Sequence, residues 1–336
     1  MTDVLVAHTR AELTALLSAR RTPGRRLSFV PTMGALHEGH ATLMRVAREH
    51  VPGGQVVVSI FVNPLQFGAG EDLDRYPRTL EADLKLCERE GVDIVFAPDS
   101  AEVYPGGVPT GSTNECVTVA PGSLAEILEG RTRPDHFRGV LTVVAKLFGL
   151  VQPDVAVFGE KDYQQLVLIR RMVADLCLPI EIVGAETERE PDGLAISSRN
   201  RFLDAEQRLE AATLSRTLRV AREAAAYGVD AALTAARAEL RSSTAVDLDY
   251  LVITDSDLGE VPHAPADAFP GTEGRILIAA RVGATRLIDN LPITIGRRPV
   301  GEASSVNREQ GELGSTKATG CPAKPDEAFP TSEAST

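Results

Sequence analysis

Short runs of apolar and β-branched residues alternate with longer amphipathic segments in the first half of the chain. The short runs predict strands at residues 27–30, 56–62, 92–97, 155–158 and 180–183. The segments between them predict helices at residues 10–20, 41–50, 80–90, 140–151 and 164–176. Strands that alternate with helices predict an α/β fold with a Rossmann-like parallel sheet. In such sheets the ligand lies beyond the carboxyl ends of the strands, near a switch in strand order.

The pattern changes after residue 186. Alanine-rich segments predict helices at 204–227 and 230–243, and strands follow at 248–253, 275–280 and 285–288. Because single cores usually stop growing near about 250 residues, a chain of 336 residues predicts two domains. We expect a Rossmann-like domain over 1–186 that binds the ligands and a smaller α+β lid domain over 187–296. The composition beyond residue 296 is poor in core-forming residues and predicts a disordered tail over 297–336.

Composition narrows the class of ligand and the compartment. Hydrophobic residues make up 43% of the chain and the formal net charge is -12, which argues against nucleic acid as a partner and favours a small ligand. No apolar run approaches the roughly 18 residues of a membrane span, and the first residues lack the pattern of a signal peptide. The four cysteines form no CxxC pair, so we expect a reducing, cytoplasmic location without membrane attachment.

The most informative motif is the stretch Pro-Thr-Met-Gly-Ala-Leu-His-Glu-Gly-His at residues 31–40. It follows a predicted strand and leads into a predicted helix, an arrangement that presents unpaired backbone N–H groups to a phosphate. His37 and His40 are three residues apart, so a helical turn puts both imidazoles on one face. Gly39 between them is expected to let a ligand approach the backbone closely.

Two further clusters follow predicted strands. Asn63 and Gln66 offer carboxamides that can hold a carboxylate, a hydroxyl or an ammonium without burying another charge. After the fourth strand, Lys161 can neutralise phosphate oxygens and Asp162 can accept from ribose hydroxyls. Gln165 can face the same cleft as Gln66. Taken alone, the first cluster also fits an ordinary turn, and the second also fits a solvated Lys/Asp turn.

A fourth cluster lies at the junction of the two predicted domains. Ser197, Ser198 and Arg199 form a suitable clamp for the β and γ phosphates of a nucleotide, where the charge of a departing pyrophosphate accumulates. A helix-capping turn is the plainer interpretation, but the position between domains favours a mobile phosphate lid. His136 either approaches the same site or is a structural histidine.

These motifs together resemble those of the pantothenate synthetases (pantoate-β-alanine ligases), a family of the HIGH-type nucleotidyltransferase superfamily that includes class I aminoacyl-tRNA synthetases. The segment 37–40 is similar to the HxGH element of that family, and 196–200 to its counterpart of the KMSKS loop. The resemblance runs from about residue 31 to 296. Ile196 takes a place where related sequences often have methionine, a volume-conserving change, and Glu188 lies where the family uses a backbone contact to adenine.

The resemblance implies an enzyme of pantothenate and coenzyme A biosynthesis. It would join pantoate and ATP into pantoyl adenylate with loss of pyrophosphate, and β-alanine would then attack to give pantothenate and AMP. It implies ATP as co-substrate, Mg2+ bridging phosphate oxygens with no protein ligand assigned, and a homodimer. The family assigns catalysis to His40, with a proton-donor role, and to His37 and Lys161. It assigns the other two substrates to Gln66, Gln165 and Asn63. The nucleotide-binding residues that it implies are Met33, Gly34, Ala35, Leu36, His37, Glu38, Gly39, His40, Gly159, Glu160, Lys161, Asp162, Glu188, Ile196, Ser197, Ser198 and Arg199.

Two other functions stay open. A nucleotidyltransferase of the same fold could move AMP onto a phosphate-bearing substrate and stop there. Such an acceptor would call for additional Arg or Lys at positions 66 and 165, where the carboxamides of Gln66 and Gln165 favour a carboxylate instead. A regulatory module would bind ATP without releasing pyrophosphate, which the presence of His37, His40 and Lys161 disfavours.

Overall fold

A computed structural model of the protein describes residues 4–20, 24–68, 73, 76–109, 116–261 and 271–296. Within these residues six strands form one parallel sheet in the order β1-β4-β3-β2-β5-β6. The strands are β1 (Leu5–Ala7), β2 (Leu27–Thr32), β3 (Gln55–Ile60), β4 (Ile94–Phe96), β5 (Val155–Gly159) and β6 (Glu181–Ala185). The expected Rossmann-like sheet is therefore confirmed, and the tail expected over 297–336 lies outside the described residues.

Helices cover both faces of this sheet. They are α1 (Arg10–Arg20), α2 (Glu38–His50), α3 (Leu80–Arg89), α4 (Ser100–Val103), α5 (Leu128–Thr132), α6 (His136–Val151) and α7 (Tyr163–Asp175). Alternate residues of β2 point to opposite faces, so Phe29 packs in the core with α1, α6 and α7, and Val30 packs in the core with α2 and α3. No helix among the described residues is long and apolar enough to cross a membrane.

A second, smaller sheet follows in the chain. Two helices, α8 (Ala205–Ala224) and α9 (Val229–Leu240), precede the antiparallel strands β7 (Val246–Thr254), β8 (Thr272–Val282) and β9 (Thr285–Ile295). Alanine and leucine residues on α8 and α9 pack with the apolar residues of this sheet in a separate core. The smaller α+β part is thus confirmed, while the division into domains at residue 186 stays a prediction.

Several element bounds differ from those expected. The strand β9 continues to Ile295 instead of ending at residue 288, because Asp289 and Asn290 are buried and hydrogen-bonded although they are polar. The helix α6 begins at His136, four residues earlier than expected. The strand β1, which has three residues, was not predicted.

The helix α6 approaches the segment that follows β3 very closely. That segment, Pro64–Gln66, is a single turn of 3-10 helix. A Cβ atom added at Gly139 would lie 2.1 Å from the carbonyl oxygen of Leu65 and 2.9 Å from the amide nitrogen of Gln66. Only glycine therefore lets α6 support the turn that carries Gln66.

We expect Gly139→Ala to lower the free energy of unfolding by about 1–3 kcal/mol, because the new methyl group forces the two backbones apart. Gly149 is the matched control, since it lies on the same helix and a Cβ atom there meets nothing within 4 Å. Gly149→Ala should raise the free energy of unfolding by about 0.5–1 kcal/mol. Urea unfolding followed by circular dichroism measures both, and equal stability of the two variants would contradict the proposed close approach.

Candidate active site

Three of the four predicted clusters follow strands that are neighbours in the sheet. The strands β3, β2 and β5 lie side by side, and the segments with His37, Asn63 and Lys161 come directly after them. The chain runs from β2 outward to β3 and β4 on one side and returns to β5 and β6 on the other. The crevice between β2 and β5 is thus the topological switch point, where ligands bind in open parallel sheets.

The two imidazoles of the first cluster lie in contact. The ring centroids of His37 and His40 are 4.1 Å apart, and the backbone N–H of His37 donates to Nδ1 of His40 at 3.3 Å. Because Nδ1 accepts, the neutral ring of His40 carries its proton on Nε2, where it can be donated to a ligand. Within the described parts of the chain, Nδ1 of His37 is buried and has no hydrogen-bond partner.

Gly39 leaves room for a side chain of the protein itself. A Cβ atom at this position would lie 3.0 Å from Cε1 and 3.1 Å from Nδ1 of His37. The His37 ring thus packs closely over Gly39. The expectation that this glycine lets a ligand approach the backbone stays a prediction.

Burial and nearby cations lower the pKa of both histidines. Desolvation is the main cause for His40, whose pKa falls to about 3, with His37 and Lys161 adding to it. Desolvation, then Lys161 and Arg201, lower the pKa of His37 to about 4. Both rings are therefore neutral at pH 7.

A buried carboxylate holds the turn between β2 and α2. Oδ2 of Asp83 accepts from the backbone N–H of Ala35 at 3.1 Å, and Oδ1 accepts from that of Leu36 at 2.8 Å. The N–H of Gly34 donates to Oγ1 of Thr32. The backbone N–H groups of Gly34, Ala35 and Leu36 are thus paired within the protein, as buried amides require. The turn also needs left-handed backbone, with φ of 81° at Gly34 and 51° at Ala35.

Asn63 lies at the centre of a buried hydrogen-bond network. Its Nδ2 donates to Oε1 of Gln66 at 3.0 Å and to the carbonyl of Gly139 at 3.1 Å. Its Oδ1 accepts from the hydroxyl of Tyr104 at 2.7 Å and from the N–H of Leu65 at 3.3 Å. Asn63 is fully buried and its amide is fully used, so it orients Gln66. Among the described residues, the amide nitrogen of Gln66 has no partner and remains available to a ligand.

His136 holds the same segment from the other side. Its Nδ1 is 2.8 Å from the carbonyl oxygen of Gln66, and Arg133 donates to that carbonyl at 3.2 Å. Nη1 of Arg133 is 3.1 Å from Nε2 of His136. Of the two interpretations left open for His136, these contacts favour the structural one, in which it positions Gln66.

Lys161 follows β5 in a short turn of 3-10 helix, Glu160–Asp162. Its side chain is 19% exposed, and Nζ lies 3.7 Å from Oδ1 of Asp162. Desolvation raises the pKa of Asp162, but Lys161 and Arg199 outweigh it and hold that pKa below its ordinary value. Asp162 is therefore ionised and faces the cations of the cleft. Gln165 lies half-buried one turn further on, at the start of α7.

The fourth cluster meets the third. Lys161, Ser197 and Arg199 line one small cavity. The hydroxyl of Ser197 accepts from the N–H of Arg199 at 3.3 Å and begins the 3-10 turn Ser198–Phe202. Before this turn, Arg189 and Ala195 form an antiparallel bridge. Beside the bridge, the carbonyl of Glu188 accepts a hydrogen bond from the N–H of Ile196 at 2.9 Å.

Some side chains of the predicted nucleotide set are used by the protein itself. The carboxylate of Glu38 pairs with Arg45 and Arg89. The carboxylate of Glu160 accepts from Arg275, and that of Glu188 accepts from Thr42. The remaining members lie in the turns already described: Met33, Gly34, Ala35 and Leu36 between β2 and α2, Gly159 at the end of β5, and Ile196, Ser197, Ser198 and Arg199 in the last cluster.

Sequence reasoning missed the residues that hold these clusters. Asp83 and Tyr104 belong to none of the four motifs that the sequence singles out. Arg275 and Asn290 lie in strands of the smaller sheet, far along the chain from any motif. All four residues bond to backbone groups or side chains from elsewhere in the chain, so no local pattern reveals them.

A parallel α/β sheet with a histidine pair, a lysine and buried carboxamides at its switch point defines a Rossmann-like protein with a small-ligand site at the strand carboxyl ends. The family model for pantoate-beta-alanine ligase matches residues 5–292, and the chain belongs to that family. Similarity to individual relatives extends over most of their length.

The chain is 66% identical over 318 residues to a pantothenate synthetase of Nocardioides sp., covering 93% of this chain and 92% of that protein. The crystal structure of pantothenate synthetase from Thermus thermophilus is 46% identical, with a TM-score of 0.75, and the match covers 86% of this chain and 99% of that one. A pantoate-beta-alanine ligase from Francisella tularensis, complexed with beta-gamma ATP and beta-alanine, is 31% identical with a TM-score of 0.68 over 86% of this chain and 97% of that one.

The lowered pKa values of His37 and His40 predict a loss of stability in acid. Between the unfolded value of 6.5 and the folded values of about 4 and 3, the unfolded chain binds more protons, so the free energy of unfolding falls as the pH drops through this window. Urea unfolding from pH 7 to pH 4 measures the slope. The double variant His37→Gln/His40→Gln should show a smaller slope, and imidazole NMR signals that titrate near pH 6.5 would contradict the assignment.

Proposed function

We propose that the chain catalyses the ATP-dependent condensation of pantoate with β-alanine to pantothenate, AMP and pyrophosphate. The observation that carries this proposal is the convergence, at one switch point, of phosphate-directed groups (His37, His40, Lys161) and of a carboxamide free to bind a carboxylate (Gln66), in a chain of this family. The related ligase from Francisella tularensis in complex with beta-gamma ATP and beta-alanine supports both co-substrates.

The first step activates the carboxylate of pantoate. One carboxylate oxygen attacks the α-phosphorus of ATP, the bond from that phosphorus to the bridging oxygen breaks, and pyrophosphate leaves with the bonding electrons. Lys161 stabilises the charge on the phosphates, and Ser197, Ser198 and Arg199 hold the β and γ groups. The neutral His40 ring donates its Nε2 proton in a hydrogen bond to a phosphate oxygen, and the nearby negative charge raises its pKa once the nucleotide binds.

The second step forms the amide. The amine of β-alanine attacks the carbonyl carbon of pantoyl adenylate, and the carbon–oxygen bond breaks so that AMP leaves with the bonding electrons. The proton lost by the amine passes to water. Gln66 and Gln165 orient pantoate, and Gln66 helps to place β-alanine. Asn63 acts through Gln66 by orienting its side chain. Gln66 and Gln165 thus hold two dilute substrates as neighbours.

Magnesium fits this site as a companion of the nucleotide. Among the described residues no three His, Cys, Asp or Glu are grouped to hold a metal ion, while Mg2+ in nucleotide sites is bound mainly by phosphates and water with one or two carboxylates. The ionised Asp162 is the carboxylate in the cleft that could assist. When bound, the ion neutralises phosphate charge.

Oligomeric state and location belong to the same proposal. We propose a homodimer, as the family resemblance implies. We also propose a cytoplasmic location, which suits four cysteines without a CxxC pair. Light scattering after size-exclusion chromatography distinguishes a dimer from a monomer of 35.9 kDa.

The decisive assay follows pyrophosphate release from ATP and Mg2+, with pantoate alone and then with β-alanine, while mass spectrometry follows AMP and pantothenate. Pantoate-dependent pyrophosphate, with pantothenate only after β-alanine is added, is the expected result. Pyrophosphate release without pantoate dependence would refute the substrate and favour the nucleotidyltransferase that acts on a phosphate-bearing acceptor. ATP binding without pyrophosphate under any condition would favour the regulatory module.

We expect His40→Ala and Lys161→Ala each to remove most turnover while leaving the fold intact, because each removes a group directed at the phosphates. His50→Ala on the same helix and Lys85→Ala on the exposed face of α3 are matched controls that should retain activity. Initial rates and circular dichroism spectra of the purified variants provide the comparison. Activity like the wild type in either site variant would overturn the assignment of the site.

Gln165→Ala should raise KM for pantoate about tenfold, the loss of one good hydrogen bond to a charged group, without changing KM for ATP. The half-buried amide of Gln165 has no partner within the described residues, so its removal leaves the protein's own contacts intact. Steady-state kinetics with each substrate varied in turn measures the effect. A change confined to KM for ATP would place Gln165 beside the nucleotide instead.

A further inference from the structure

Two neighbouring residues of β9 lie between the phosphate-directed segments of the site. Asp289 and Asn290 are 4% and 2% exposed, although a strand interior rarely buries such residues without a specific partner. Asp289 lines the same cavity as Lys161, Ser197 and Arg199. Neither residue belongs to the catalytic or binding set described above.

Asn290 holds the turn that carries Lys161. Its Nδ2 donates to the backbone carbonyls of Glu160 and Lys161, each at 2.9 Å. Its Oδ1 accepts from Nε of Arg275 at 2.7 Å. Both amide protons are thus spent on the backbone of one turn, which fixes where the lysine side chain begins.

Arg275 completes this support. Its Nη2 donates to Oε2 of Glu160 at 2.8 Å, and its guanidinium lies 4.0 Å from the ring centre of Tyr163. Arg275 is 6% exposed. The turn is therefore held through its backbone by Asn290 and through its Glu160 side chain by a second residue of the smaller sheet.

Asp289 holds the segment that leads to Ser197. Its two carboxylate oxygens accept from Nη1 and Nη2 of Arg189 at 2.7 Å and 2.8 Å. Arg189 also donates to the carbonyl of Gly193 at 3.0 Å and pairs through its backbone with Ala195, directly before the Ser197 cluster. The N–H of Asn290 donates to Oδ1 of Asp289 at 2.7 Å, which joins the two supports.

We propose that Asp289 and Asn290 are positioning residues for adenylate formation, which fix the separation between Lys161 and the Ser197 cluster so that both engage one polyphosphate. This inference rests on the proposed function. Both residues act through geometry, because their polar groups are bonded to the protein and not directed at a ligand. Displacement of a catalytic group by about 1 Å can lower a rate about 100-fold.

The test separates the two chemical steps. The step of adenylate formation is measured as pantoate-dependent pyrophosphate release, and the step of amide formation as pantothenate produced from preformed pantoyl adenylate and β-alanine. Asn290→Ala and Asp289→Asn should lower the rate of the first step by up to about 100-fold and leave the second near the wild-type rate. Thr294→Val is the control, since Thr294 lies on the same strand and bonds the exposed Glu273. It should change neither step.

A double-variant comparison excludes general damage to the fold. Once Lys161 is replaced by alanine, its position no longer matters, so Asn290→Ala should cause little further loss of the first step in a Lys161→Ala background. If Asn290→Ala does not fold, Asp289→Asn takes its place, because it keeps the shape of the side chain. Its rates of adenylate formation and of amide formation are then compared with those of the wild type. Equal loss in both steps, full additivity with Lys161→Ala, or no loss at all would each overturn the proposal. Failure of the proposed function is distinguishable, because the wild-type protein would then release no pantoate-dependent pyrophosphate.

Discussion

Buried polar side chains that bond to the backbone of a neighbouring segment determine the arrangement of the whole site. Asp83 holds the turn after β2, and Asn63 with Gly139 holds the turn after β3. Asn290 holds the turn after β5. Each of these side chains is nearly inaccessible to water, where an unpaired polar group costs several kcal/mol. The hydrogen bonds that satisfy each buried side chain therefore also fix the loop that it contacts. The three loops lie close together because β3, β2 and β5 are neighbours in the sheet.

The electrostatics of the crevice differ from those of the whole protein. The chain has a formal net charge of -12, yet Lys161, Arg199 and Arg201 act on the histidines and on Asp162. Because the two histidines are neutral at pH 7, the unliganded crevice avoids further repulsion among buried cations. A polyphosphate reverses that balance, since its negative charge favours protonation of the same rings. On the proposed function, we therefore expect the histidines to act as hydrogen-bond donors whose charge responds to the ligand.

The sequence predicts the alternation of strands and helices and the four ligand-directed clusters, because strand ends, glycine turns and chemically distinctive residues are close together in the chain. It does not predict what holds the clusters. Asp83 is almost fifty positions from the turn that it supports, and Asn290 is more than a hundred positions from Lys161. The same limitation applies to the first motif. Local geometry does not reveal that Asp83 pairs with the amides of Ala35 and Leu36, or that the His37 ring packs over Gly39.

The contacts between the smaller sheet and the parallel sheet bear on how the site closes. Arg286 on β9 forms a bidentate pair with Glu129 on α5, and both side chains are nearly buried. Asn290 and Arg275 also connect the smaller sheet to the turn of Lys161, through hydrogen bonds to its backbone and to Glu160. Opening the smaller sheet as a rigid lid would break these pairs together, and a nearly buried bidentate pair contributes more to stability than an exposed one. In the 3-10 turn Ser198–Phe202, the side chains of Arg199, Arg201 and Phe202 are exposed. We therefore expect closure over a nucleotide to be carried by these exposed side chains, while β9 holds the segment from which the turn begins.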